Sequence, residues 1–211
     1  MFTKKRETAL MKKTTKRIIA AVVALFYVVG IGMAIIPTHR TTTTTSRTFT
    51  TRWRLRTIGG KGEGLAATGD LDITADITIT GAGVGQTIID AAGVDRIFDV
   101  LTGASLTLSD MTLQGGDVRT EITEDGGAMR IESGAVASIS ATLFSNNATA
   151  RDGGAISVVG TLRMTDSTVD TNYAGRQGGG IAIGGNSAVA TLERVTVSNN
   201  LVAEGMSGGG I

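Results

Sequence analysis

Two consecutive passages of the chain carry the same pattern of apolar and polar positions. They are DGGAISVVGTLRMTDSTVDTN (Asp152–Asn172) and QGGGIAIGGNSAVATLERVTVSNN (Gln177–Asn200). Each opens on a glycine pair followed by an Ile, alternates apolar with polar residues, passes a Thr-Val step and closes on Asn. Glycine pairs starting at Gly126, Gly153, Gly178 and Gly208 mark the same step at intervals of 27, 25 and 30 residues. The second halves align without gaps from Ser105, Val136, Thr161 and Val189. Their second positions read Leu106, Ala137, Leu162, Ala190; the fourth, Leu108, Ile139, Met164, Leu192; the ninth, Leu113, Phe144, Val169, Val197. Alternation with a period of two places these columns on one face of strands rather than on a helix.

Each unit therefore predicts three short strands. The first carries Ile156 and Val158 inward, or Ile181 and Ile183 in the next unit. The second carries Leu162 and Met164, and the third Val169, or Val195 and Val197. Corners fall at Val159-Gly160, Thr165-Asp166 and Thr171-Asn172, where Gly, Asp and Asn suit turns. One unit cannot bury its apolar side alone. Stacking units at about 4.8 Å gives every strand parallel partners and a shared core. The fold class is all-β, a parallel β-helix with three faces and 25–30 residues per coil, following an N-terminal hydrophobic helix. The twelfth column reads Gly116, Asn147, Asn172, Asn200. Amides stacked in register can donate and accept along the column, so it is structural and marks no site.

Charge divides the chain sharply. Residues 1–61 hold 13 of the 20 Lys and Arg and a single acid, Glu7, whereas residues 62–211 hold 7 Arg against 18 acids, a net of −11. An acidic folded part argues against a nucleic-acid partner. There is no Cys, hence neither a disulfide framework nor a thiolate metal site. Glycine at 30 of 211 residues, with one Pro, fits a turn-dense repeat array.

Ahead of the repeats, residues 1–37 read as a signal peptide or membrane anchor. A basic segment precedes 19 uncharged residues, Ile18–Ile36, a length between a signal core and a spanning helix. Met11 is a second candidate start, and Gly32-Met33-Ala34 a candidate cleavage site. Cleaved signal and retained anchor both stay open, the latter giving membrane contact through residues 18–36. Residues 38–64 are a Thr/Arg-rich spacer, poor in apolar residues. The β-helix occupies 65–211 and reads as truncated, since Gly208–Ile211 begins another unit.

GDLDIT (from Gly69), DITITGAG (from Asp76), TIIDAAGVDRIFDV (from Thr87) and SLTLSDMTLQGG resemble the CSLREA-type bacterial secreted proteins and their right-handed parallel β-helix repeats. GGAM, GGAI and the Phe144-Ser-Asn-Asn147 motif resemble the repeats of polymorphic outer-membrane autotransporters, within the pectate-lyase-like superfamily. The resemblance implies an exported bacterial protein, extracellular or on the cell surface with the outer membrane included. It implies an adhesive or structural role and an unidentified polysaccharide or protein ligand.

The alternative is a polysaccharide-active lyase or glycoside hydrolase. The inventory weighs against an enzyme: the one His, His39, lies in the spacer, and residues 62–211 lack Lys. Asp110 and Asp166 share the sixth column two coils apart, roughly 10 Å, near the upper separation for an inverting carboxylate pair; solvated turn residues explain them better. Asp125-Gly-Gly and Asp152-Gly-Gly lack the oxygen-rich loop calcium requires. Gly81–Gly85 (GAGVG) has no following helix or Lys to hold a phosphate. No catalytic, cofactor-binding or metal residue is assigned, and no cofactor is expected.

Overall fold

The computed structural model describes residues 69–211, preceded by the backbone of two short strands, β1 (Thr45–Thr48) and β2 (Trp53–Arg56). The apolar run Ile18–Ile36, with its expected helix, lies outside the described residues, as does the rest of the spacer. Each following coil contributes to three sheets. The first coil holds β3 (Leu71–Ile73), β4 (Ile77–Thr80) and β5 (Thr87–Asp90). The second holds β6 (Phe98–Val100), β7 (Ser105–Gln114) and β8 (Asp117–Val118); the third, β9 (Met129–Ile131), β10 (Val136–Ser145) and β11 (Ala148–Thr149). The fourth holds β12 (Ile156–Val158), β13 (Thr161–Thr165), β14 (Thr168–Asp170) and β15 (Tyr173–Ala174). The fifth holds β16 (Ile181–Ile183), β17 (Val189–Glu193), β18 (Thr196–Ser198) and β19 (Leu201–Val202).

Every named pairing is parallel, and the result is an all-β solenoid of about five turns with no helix among the described residues. A flank sheet runs β3-β6-β9-β12-β16. A bent ten-stranded main sheet contains β4, β7, β10, β13 and β17 on one limb and β5, β14 and β18 on the other. A narrow third sheet runs β8-β11-β15-β19. The registers reproduce the sequence columns: Leu106, Ala137, Leu162 and Ala190 are successive partners, as are Leu113, Phe144, Val169 and Val197. The core is these columns, with Leu106, Leu108, Leu113, Phe144, Leu162, Met164 and Val169 all fully buried. Full burial of one such side chain contributes about 1.5–3 kcal/mol. Ile183 keeps the expected column, in register with the buried Val158 and Ile131, and is 45% exposed. The following pass of the chain covers Ile181, whose N–H donates to Gly210 O.

The bend in the main sheet follows from the sixth column. Asp110, Ala141, Asp166 and Arg194 all take positive φ, between 45° and 60°, so β7 and β10 turn the corner without leaving the sheet. The eleventh column does the same with Gly115, Asn146, Thr171 and Asn199. Gly and Asn tolerate this region, but a β-branched residue does not. Thr171, at φ 57°, is therefore strained. Replacing Thr171 with Gly is expected to stabilise the protein by about 1 kcal/mol, read as a rise of about 2–4 °C in melting temperature. An unchanged or lower melting temperature would contradict the strain.

Asn147, Asn172 and Asn200 form the anticipated ladder. Asn147 N–H and Nδ2 both donate to Asn172 Oδ1 (3.0 Å each), and Asn172 N–H and Nδ2 donate to Asn200 Oδ1 (3.0 and 2.9 Å). All three residues are buried, so each amide answers backbone groups that the tight corner strands away from water.

Candidate functional site

The flank sheet carries a charged column on its outer side. Register pairs Asp72 with Asp99 and Asp99 with Arg130, and the series continues with Ser157 and Ala182. Outward residues of a solenoid are normally solvated, yet Asp99 and Ser157 are buried. For Asp99 the reason is a network that also draws in Asp70, Arg96 and Glu124. Arg130 grips Asp99 through Nε (3.2 Å) and Nη2 (2.6 Å), a two-pronged geometry suited to guanidinium and carboxylate. Its remaining contacts go to Glu124 Oε2 (3.1 Å) and Glu132 Oε1 (3.1 Å).

Arg96 is the buried centre, 3% exposed. Its Nε donates to Asp70 (3.2 Å), Nη2 to Glu124 (2.8 Å) and Nη1 to the Asp125 carbonyl (2.7 Å). Burial opposes its charge, but Asp99, Glu124 and Asp70 outweigh it, and the guanidinium is held cationic. Burial also opposes the Glu124 charge, yet hydrogen bonding and attraction from Arg96 prevail and keep its carboxyl below the usual range. Asp70 goes the other way: burial pushes it up to about 6, more than Arg96 pulls it down.

That shift has a definite sign. The folded pKa of Asp70 lies above its unfolded value, so the folded state takes up a proton that the unfolded state does not. Stability is expected to increase as pH falls from about 7 to about 4.5, by roughly 2–3 kcal/mol from this group. Asp95, raised by burial, acts in the same direction. Below that window the gain reverses as carboxyls with lowered pKa, such as Glu124, are protonated. Urea midpoints between pH 4.5 and 7.5 test this, and Asp70→Asn is expected to flatten the profile. A midpoint that fell steadily on acidification would contradict it.

Carboxylate oxygens of Asp70, Asp72 and Asp99 lie within 4.8 Å of one another, a spacing a divalent cation would use. Arg96 and Arg130 already supply the counter-charge to Asp70 and Asp99, so the cluster functions as an ionic lock between coils. An open trough of about 350 Å³ is lined by Asp125, Asp152 and Gln177 together with Ser157, Val159 and Ile183. Asp125 and Asp152 are turn residues that bond the next coil: Asp125 Oδ1 accepts from Asp152 N–H and Arg151 Nε, and Asp152 Oδ1 accepts from Gln177 N–H.

The candidate acid pair fares differently. Asp110 and Asp166 stand in one column with Ala141 between them, as their spacing predicts. Arg194 on the next coil takes the Asp166 carboxylate through Nε (2.5 Å) and Nη2 (2.9 Å) and holds its pKa below the ordinary range. A carboxylate held ionised in this way is unsuited to protonate a leaving group.

A family model for the Chlamydia polymorphic membrane protein repeat matches residues 141–159. The match runs from the main-sheet corner through Phe144, Asn147 and the Gly153-Gly154 step into β12. Phe144, Asn147, Thr149, Ala155, Ile156 and Val158 in it are buried, so the signature describes how a coil packs. No curated protein and no solved structure matches the chain. The matched repeat and the solenoid of parallel coils around it fit a parallel β-helix repeat protein similar to the Chlamydia polymorphic membrane proteins.

Proposed function

We propose that the chain belongs to a bacterial outer-membrane or cell-surface protein whose solenoid presents an adhesive or structural surface to a polysaccharide or protein. The observation that carries this reading is the polymorphic membrane protein repeat at 141–159, which runs from the third coil of the solenoid into the fourth. The acidic, turn-rich body and the basic, apolar N-terminal run agree with export. A solenoid suits such a role because neighbouring coils give a long rigid surface whose outward residues vary without disturbing the core. The polysaccharide-cleaving alternative gains no support, since Asp166 is committed to Arg194.

Protease shaving of intact cells producing the natural protein, followed by fractionation, tests the location. The expected result is a solenoid that external protease reaches and that partitions with the outer membrane. Protection from protease together with recovery in the cytoplasmic fraction would overturn it.

A further inference from the structure

The residues that repeat from coil to coil are mostly inside. A ligand cannot reach Phe144 or Asn147, so recognition falls to positions where a coil departs from the repeat. The largest departure follows β8. Residues 117–125, nine in all, separate the twelfth-column Gly116 from the Gly126-Gly127 step, whereas five residues (148–152 and 173–177) do so in the next two coils.

This longer loop is held in one shape. Glu121 N–H donates to Val118 O and Glu124 N–H to Glu121 O (3.0 Å each). Its far end is fastened by Arg96 through the Glu124 carboxylate and the Asp125 carbonyl, by Arg130 through Glu124, and by Thr149 Oγ1 donating to Glu124 O (2.7 Å). Burying an arginine among carboxylates adds little net stability; what it fixes is position. Beyond Val118 at its base, the loop buries no apolar side chain. At its tip Ile122 is 79% exposed, the most exposed large apolar residue among the described residues. Single exposed apolar residues are ordinary; one on a loop fastened by a buried arginine is a rigid, pre-ordered contact, the kind that binds at low entropic cost. Next to it, Glu121 makes no side-chain hydrogen bond or ion pair among the described residues.

We propose that the loop 117–125 is a protein-binding element: Ile122 enters an apolar pocket on a partner protein, and Glu121 meets a basic group at the rim of that pocket. An aliphatic tip is matched by an apolar cavity, which a folded protein offers and a hydrated sugar chain does not, and an unpaired carboxylate beside it calls for a cation. This inference rests on the adhesive reading above and names the chemistry of its partner.

The test uses bacteria displaying the natural full-length protein, with a deletion strain as the zero point, on monolayers of cells to which the wild-type strain adheres. The monolayers are untreated, trypsin-stripped or periodate-oxidised. Ile122→Ser and Glu121→Lys are each expected to lower protein-dependent adhesion about 10-fold or more, with surface levels and melting temperature unchanged. Val189→Ser, which alters a half-exposed apolar residue elsewhere, is expected to adhere as wild type. Trypsin is expected to abolish adhesion and periodate to spare it. Undiminished adhesion by Ile122→Ser, or loss on periodate with retention after trypsin, would overturn the proposal while leaving the adhesive role standing. Equal adhesion by wild type and deletion strain would overturn both.

Discussion

Asn172→Ala is expected to lose roughly 3–5 kcal/mol of stability, a large share of the total for a domain this size. The side chain serves three coils at once. Its Oδ1 accepts from Asn147 N–H and Nδ2, and its Nδ2 donates to Asn200 Oδ1, Phe144 O and Asp170 O. Truncation leaves the Asn147 backbone N–H without an acceptor at a site 1% exposed, and strips a donor from Phe144 O. Each buried polar group left unpaired costs about 1–3 kcal/mol. The neighbouring Asn199, exposed and at φ 52°, is the control: Asn199→Gly keeps its backbone conformation available and is expected to change stability by less than about 0.5 kcal/mol. Urea midpoints for the two variants decide the matter, and equal effects would remove the ladder from the account.

Gly154→Ala is expected to be at least as damaging, at about 3 kcal/mol or more. The second glycine of each pair owes its identity to proximity. A Cβ on Gly154 would stand 2.0 Å from the Gly179 carbonyl oxygen and 2.7 Å from Tyr173 backbone atoms. Gly127 meets Gly154 O and Gly179 meets Gly209 O in the same way, at 2.3 and 2.4 Å. These are main-chain atoms, so no side chain can swing aside and neighbouring coils must separate. The first glycine is required on two counts: a Cβ on Gly126, Gly153 or Gly178 would stand 2.2–2.3 Å from a main-chain carbonyl oxygen, and Gly126, Gly153, Gly178 and Gly208 take φ between 57° and 77°. Gly93→Ala, at a positive φ with open space around it, isolates the conformational cost alone. Thermal unfolding should show Gly154→Ala losing clearly more than Gly93→Ala, and the reverse order would contradict the close-stacking explanation.

Both effects lie in columns legible in the sequence, and that is no accident. A parallel stack forces residues of equal rank in successive coils into contact, so Leu106, Ala137, Leu162 and Ala190 could be aligned as text before they were paired as strands. The two-residue strands of the third sheet were not legible. Asp117-Val118, Ala148-Thr149, Tyr173-Ala174 and Leu201-Val202 are too short to alternate, and their one clue is a small or apolar residue two places after the twelfth column. The ionic lock escaped for another reason. Asp70, Arg96, Asp99, Glu124 and Arg130 come from three coils of unequal length, two of them ahead of the regular repeats, and only the observed register places Asp72, Asp99 and Arg130 side by side. Asp110 and Asp166 show the reverse case, since their shared column was read correctly while the Arg194 fork on Asp166 needed coordinates.

The account stands on the register of the stack, and the absence of native cysteine makes that register directly measurable. Ser138 and Arg163 are partners across β10 and β13, with outward side chains. The variant carrying Ser138→Cys and Arg163→Cys should close a disulfide readily under mild oxidation, because parallel neighbours about 4.8 Å apart fall within the Cα separation a disulfide spans. Ser138→Cys with Thr165→Cys, two residues out of register, should remain largely reduced. That pattern is what the stacked-column solenoid predicts, and preferential closure of the out-of-register pair, or of neither, would contradict it.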